Sequence, residues 1–186
     1  MSTPRVGESG VPFTYTDSSA SGLGDLNADG TSANDPIYVP LNAADTSEIV
    51  FTGSTPDSVV RQQQAFEHFI LTTPCLRHQR GRIMARNSCR GPWVHSANAS
   101  LRQSLPAAWG HGVSLEVEVF NVLNLIDKSW GLYRVPRTVL FQHVRQTPGS
   151  ASTSQPVFRF DENWAPYSTD NTESAYQIQL AVRYRF

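Results

Sequence analysis

The feature that most constrains this chain is its C-terminal end. The last eleven residues alternate without a break: Tyr176, Ile178, Leu180, Val182, Tyr184 and Phe186 fall on one face, Gln177, Gln179, Ala181, Arg183 and Arg185 on the other. Side chains of a strand point to opposite faces with a period of two, so the segment reads as a strand with one apolar and one polar side. A half-buried strand of a water-soluble protein alternates in the same way but averages about 5–6 residues. A strand that crosses a bilayer needs about 9–11 residues, an apolar lipid face, a polar inner face and aromatic residues near both interfaces. Length, and aromatics at both ends, favour the membrane strand over one from a soluble sandwich.

The same period recurs upstream. In Val113–Phe120, Val113, Leu115, Val117 and Val119 oppose Ser114, Glu116 and Glu118; in Ala97–Leu105, Ala97, Ala99, Leu101 and Leu105 oppose Asn98, Ser100, Arg102 and Ser104. Pro106–Gly112 has the length of a hairpin loop, and Asn121–Asn124 ends the second strand in a turn. A fainter strand runs over Trp130–Phe141, interrupted at Pro136; a Ser/Thr/Gly/Pro loop follows over Thr147–Gln155, then a short strand at Val157–Phe160. Residues 1–54 are loop-rich, with short extended stretches at Val11–Thr16 and Ile37–Pro40. Residues 55–73 form the one convincing helix. Ser54 or Thr55 can cap it, Pro56 suits a first helical position, and Val59, Val60, Phe66, Phe69 and Ile70 recur at helical spacing.

Charge is unevenly spread. Residues 1–67 hold nine acids against Arg5 and Arg61; residues 68–115 hold Arg77, Arg80, Arg82, Arg86, Arg90 and Arg102 and no acid; residues 116–186 balance at seven each. The formal net charge of −1 argues against a polybasic nucleic-acid binder. No stretch approaches the roughly 18–20 apolar residues of a membrane-spanning helix. The opening Met1-Ser2-Thr3-Pro4-Arg5 does not read as a signal peptide.

Arg80-Gly81, Arg86-Asn87-Ser88, Arg90-Gly91-Pro92-Trp93, the two alternating strands, Val119-Phe120-Asn121-Val122-Leu123-Asn124-Leu125 and Trp130-Gly131 occur in that order. Together they resemble the end of the barrel in TonB-dependent outer-membrane receptors. The Oar-like subgroup is the most similar, its barrels carrying a loop like Gly24-Asp25-Leu26-Asn27-Ala28-Asp29-Gly30 with Asn34-Asp35-Pro36-Ile37-Tyr38-Val39-Pro40. The resemblance implies a mainly β fold of antiparallel transmembrane β-barrel strands over residues 94–186, with one short helix and long loops. It also implies uptake of a large ligand across the Gram-negative outer membrane. Expected partners are outer-membrane lipid, the barrel-assembly machinery and, only through a plug that this chain lacks, TonB. Ile178, Leu180, Val182, Tyr184 and the terminal Phe186 are similar to the signal that the assembly machinery recognises. The family barrel has many more strands than this chain offers, and four strands cannot close. Residues 1–186 therefore read as a C-terminal segment, not functional alone, with Met1 an internal start or gene-boundary artefact. The alternative is a soluble, secreted β-rich module that binds calcium or carbohydrate.

Asp25, Asn27 and Asp29, with Gly30 after them, stand at positions 1, 3, 5 and 6 of a calcium-type loop, where a hard cation wants several oxygens and a sharp bend. Pro36 occupies position 12, so Asn34 or Asp35, one residue early, would have to substitute for the last carboxylate; an Asx-rich turn explains the same residues. Calcium is the only cofactor in view. Cys75 and Cys89 close one loop as a disulfide in an oxidising compartment, or are two ordinary small residues in a reducing one. His68, His78, His95, His111 and His143 make no metal or nucleophile motif. Glu116 and Glu118 share the spacing of a glycosidase pair, about 6–7 Å by strand rise, but suit a wet barrel lumen equally. No catalytic residue is expected. Trp93, Trp109, Trp130 and Trp164 fall where interfacial anchors would.

Overall fold

The computed structural model describes residues 5–8, 10–18, 25, 29–31, 34–106, 112–147 and 155–186. The chain is mainly β, with 41% strand against 20% helix. It divides into two compact units: residues 1–11, 91–135 and 167–186 form the first, residues 12–90 and 136–166 the second. Residues 136–166 therefore belong with the N-terminal half of the chain rather than with the long C-terminal strands, and the expected strand over Trp130–Phe141 is divided at Pro136 into Tyr133–Pro136 and Val139–Gln146.

The first unit is built on a three-stranded antiparallel sheet in the order Gln177–Arg185, Gly112–Phe120, Ala99–Leu105. Val117 lies opposite both Leu180 and Leu101, which fixes the register across the sheet. The strand expected over Ala97–Leu105 starts only at Ala99; Ala97, on the other side of Asn98, ends a separate strand, Val94–Ala97, that pairs with Arg5–Glu8. Residues 107–111, most of the expected hairpin loop and including Trp109, lie outside the described residues.

The second unit holds the core. Its helix Pro56–Thr72 starts as a capping box: the Ser58 N–H donates to Thr55 Oγ1 and the Thr55 N–H to Ser58 Oγ, both at 3.2 Å. Ser58, Gln62, Phe66, Phe69 and Ile70 face inward, whereas Val60 is exposed. The inward face meets a four-stranded sheet ordered Thr16–Ser18, Val139–Gln146, Pro156–Phe160, Val50–Phe51. Phe66 sits among Phe141, Phe160 and Phe51, with ring centroids at 4.8, 5.3 and 5.8 Å. Gln62 ties the helix to the sheet, accepting from the Phe160 N–H and donating to the Thr52 carbonyl, both at 2.9 Å. The inner pairing is antiparallel but the two outer ones are parallel, a departure from the all-antiparallel expectation. A parallel neighbour comes from a remote part of the chain and leaves no turn signal.

Among the described residues three further short helices, Pro74–Arg77, Val122–Ile126 and Asn171–Ser174, join the expected one. Among the described residues no sheet closes into a barrel. No helix among them is long and apolar enough to cross a membrane, which says nothing of strands.

Candidate functional site

Among the described residues, every buried hydrophobic side chain lies in the second unit. The first unit is the opposite case. On one face of its sheet stand Leu101 and Leu105, the row Val113–Leu115–Val117–Val119, and Ile178, Leu180, Val182 and Tyr184, interrupted only by Gln103. Leu101, Ile178, Leu180, Val182 and Tyr184 are each more than half exposed, and Phe186 is 92% exposed. Covering a side chain of this size is worth about 1.5–3 kcal/mol, so the face has a large unrealised preference for an apolar surrounding. The other face carries Ser100, Arg102, Ser114, Glu116, Glu118, Gln179 and Arg183. There Glu116 Oε2 receives Arg102 Nη2 at 2.7 Å and lies 3.6 Å from Arg183 Nη2, so one carboxylate links all three strands.

The Asn121–Asn124 turn at the end of the middle strand is built by its two asparagines. Asn121 adopts a left-handed backbone conformation (φ 51°), and its side-chain amide donates to the carbonyls of Gly131 at 2.9 Å and Ser174 at 2.8 Å. Asn124 donates in the same way to Lys128 and Trp130. Gly131 has φ +63°, and a Cβ there would stand 2.1 Å from Asn121 Oδ1. The Asn-x-x-Asn and Trp-Gly pieces are thus two halves of one corner. Ser174 completes it by accepting the Tyr133 N–H through Oγ.

Asp25 uses its carboxylate on the backbone, accepting from the N–H groups of Asp29 at 2.9 Å and Gly30 at 2.8 Å. Asp29 accepts from the Thr31 N–H and the Asn34 amide. This is the Asx-turn arrangement, with Gly30 at φ +85°. Asp35 is buried. Among the described residues no three His, Cys, Asp or Glu side chains gather as a metal site. Asp25, Asp29 and Asp35 do not make one by themselves, and Asn27 lies outside the described residues. Cys75 and Cys89 are joined by a disulfide, with Cα atoms 5.2 Å apart. The closed loop contains Arg80, which donates to the Leu41 carbonyl and pairs with Glu67. Partial burial works to raise the Glu67 pKa, but the Arg80 bond and the Ala43 N–H outweigh it and hold the carboxyl below its ordinary value. Trp93 and Trp130 are exposed and Trp164 is half-buried.

Periodicity could not have found the buried pair of Asp17 and His143. Both are almost fully enclosed, on adjacent parallel strands, with Nδ1 3.9 Å from Oδ2. Burial pushes the Asp17 carboxyl up to about 6; its own backbone hydrogen bond opposes this, and the charge of Asp35 adds to it. No known family model, curated protein or solved structure matches the chain.

Proposed function

We propose that this chain is the C-terminal barrel portion of a TonB-dependent outer-membrane receptor that takes up a large ligand, and that it does not transport alone. The observation that carries the reading is the first unit's sheet. One face is apolar and exposed across all three strands, the other is polar with a cross-strand ion network, and among its described residues the unit buries no large apolar side chain. That is the pattern expected of strands whose outer face meets lipid and whose inner face meets a wet lumen. Two strands of nine residues have the length to cross.

The connectivity agrees. The short link 106–111 joins strand ends on the same side as Phe186, whereas the long segment 121–176 leaves from the other. Outer-membrane barrels have short periplasmic turns and long extracellular loops, which would put Phe186 on the periplasmic side and the second unit's residues in extracellular segments. Three strands leave two open edges whose backbone groups find no partner in hydrocarbon, so further strands must complete the wall. Its partners are then lipid and the assembly machinery, with TonB reached through a plug outside this segment. Sequencing the locus upstream of the Met1 codon tests the reading. The frame should run on through further barrel strands and a plug; an in-frame stop directly upstream, preceded by no such coding sequence, contradicts it.

A further inference from the structure

The second unit carries a cleft of about 900 Å³ that neither its core nor the membrane reading accounts for. Its floor is the outer face of the four-stranded sheet, where Ser18, Gln142 and Arg159 are register neighbours on three adjacent strands. One wall is the first turns of the helix, with Ser54 and Arg61. The other is the turn from Asp161 to Trp164, closed by the Asn163 N–H donating to Asp161 Oδ1 at 2.9 Å and the Trp164 N–H to the Asp161 carbonyl at 3.0 Å. Arg61 reaches across to Glu162 at 2.9 Å. That pairing leaves Arg137 and Arg159, which enter no ion pair among the described residues.

Arg137 is oriented in advance. Its guanidinium carbon stands 4.2 Å from the centroid of the Trp164 ring, so the planar group is stacked on indole with its N–H edges unused. A fork held in place loses little freedom on binding an oxyanion in the bidentate manner guanidinium favours. Gln142, Asp161 and Asn163 line the same cleft and add the donors and acceptors that sugar hydroxyls require. Val139 is the one exposed large hydrophobic side chain among the lining residues. A peptide adding as a strand finds no edge here, because the floor strand is paired on both sides. A polyphosphate chain would run along the carboxylates of Asp161 and Glu162. An acidic sugar, with one carboxylate and several hydroxyls per ring, fits this mixture.

We infer that the cleft binds an acidic saccharide, its carboxylate taken by Arg137 and Arg159 and its ring hydroxyls by Gln142, Asp161 and Asn163. Every residue of the site belongs to the second unit, so the inference does not depend on where the first unit's sheet resides. The test is calorimetric titration of the full chain, disulfide intact and held in detergent micelles, with its fold checked by near-ultraviolet circular dichroism. The probes are the trisaccharides of galacturonate, glucuronate and mannuronate, with maltotriose and triglutamate as neutral and peptide comparators. At least one uronate should bind with Kd below about 1 mM and at least about tenfold more tightly than either comparator. Arg137→Ala and Arg159→Ala should each weaken it about tenfold while the protein stays folded, with a melting temperature lowered by no more than about 8 °C, and Arg137→Lys should weaken it less, keeping the charge but losing the fork. The inference is overturned if the folded protein binds none of the three at about 10 mM, if maltotriose or triglutamate binds as tightly, or if either alanine variant binds as the parent does.

Discussion

Gln62→Leu should separate the helix from its sheet at almost constant volume. Gln62 is 4% exposed and serves two backbone groups at once, the Phe160 N–H and the Thr52 carbonyl. Leucine fills the space but serves neither. A buried backbone group that loses its partner costs about 1–3 kcal/mol, and there are two, which sets the loss at about 2–6 kcal/mol. The apolar gain from leucine works against this, so about 2–4 kcal/mol is the expected net. At about 4–8 °C per kcal/mol for a unit near a hundred residues, the melting temperature should fall by at least about 8 °C. The assay is thermal melting of the full chain in micelles, followed by near-ultraviolet circular dichroism, which reports the packed aromatic cluster around Phe66. Gln64→Leu, on the exposed side of the same helix, is the control and should stay within about 0.5 kcal/mol of the parent. Equal melting of the two variants would refute the bridging role of Gln62 and, with it, this account of how the helix docks.

The Asp17 carboxyl, raised to about 6 when folded against 3.8 otherwise, stabilises the second unit most below about pH 4. That contribution is lost as the pH rises through about 6, up to about 3 kcal/mol in all. The difference in melting temperature between parent and Asp17→Asn, followed from pH 4 to 8, should therefore shift in favour of the variant at the alkaline end. Gly131→Ala should cost about 2–4 kcal/mol, because a Cβ there displaces the Asn121 amide from two carbonyls and holds alanine at positive φ; protease susceptibility of the corner over residues 121–131 reads this out. Reducing the Cys75–Cys89 bond should destabilise the second unit by about 3 kcal/mol on loop entropy, measured as a change in denaturant midpoint, whereas free thiols in oxidised, envelope-purified protein would show that the bond does not form there.

The long alternations were legible because each strand of the first unit presents two chemically different faces, and the helix because Thr55, Pro56 and the spacing of Phe66, Phe69 and Ile70 act locally. What was not legible is long-range. Nothing near Val139 says that its strand will lie parallel to Thr16–Ser18, and Val139–Gln146 blurs its own period, burying Leu140 and Phe141 side by side and shifting register between His143 and Arg145. The inward positions of Ser58 and Gln62 were hidden for a related reason: polar residues at helical spacing read as a solvated face until the backbone groups they serve are known. The saccharide cleft draws on Ser18, Arg61, Arg137 and Trp164, far apart in the chain, which only the fold brings together. Of the calcium-type residues, Asp25 and Asp29 kept their turn chemistry, since backbone N–H groups compete for the same oxygens as a cation.

The measurement that bears most directly on the central claim is the surroundings of the two faces of the C-terminal strand. A fluorophore is placed by single-cysteine labelling at Leu180 or at Gln179, with the native pair left bonded, and the full chain is folded in micelles. Leu180 lies opposite Val117 on the apolar face and Gln179 opposite Glu118 on the polar one. A nitroxide-bearing fatty acid within the micelle should quench the label at 180 strongly and aqueous iodide should quench the label at 179, with the same division between Val182 and Arg183. Equal quenching at both positions, or the reverse pattern, would contradict the assignment of this sheet to a lipid-facing wall.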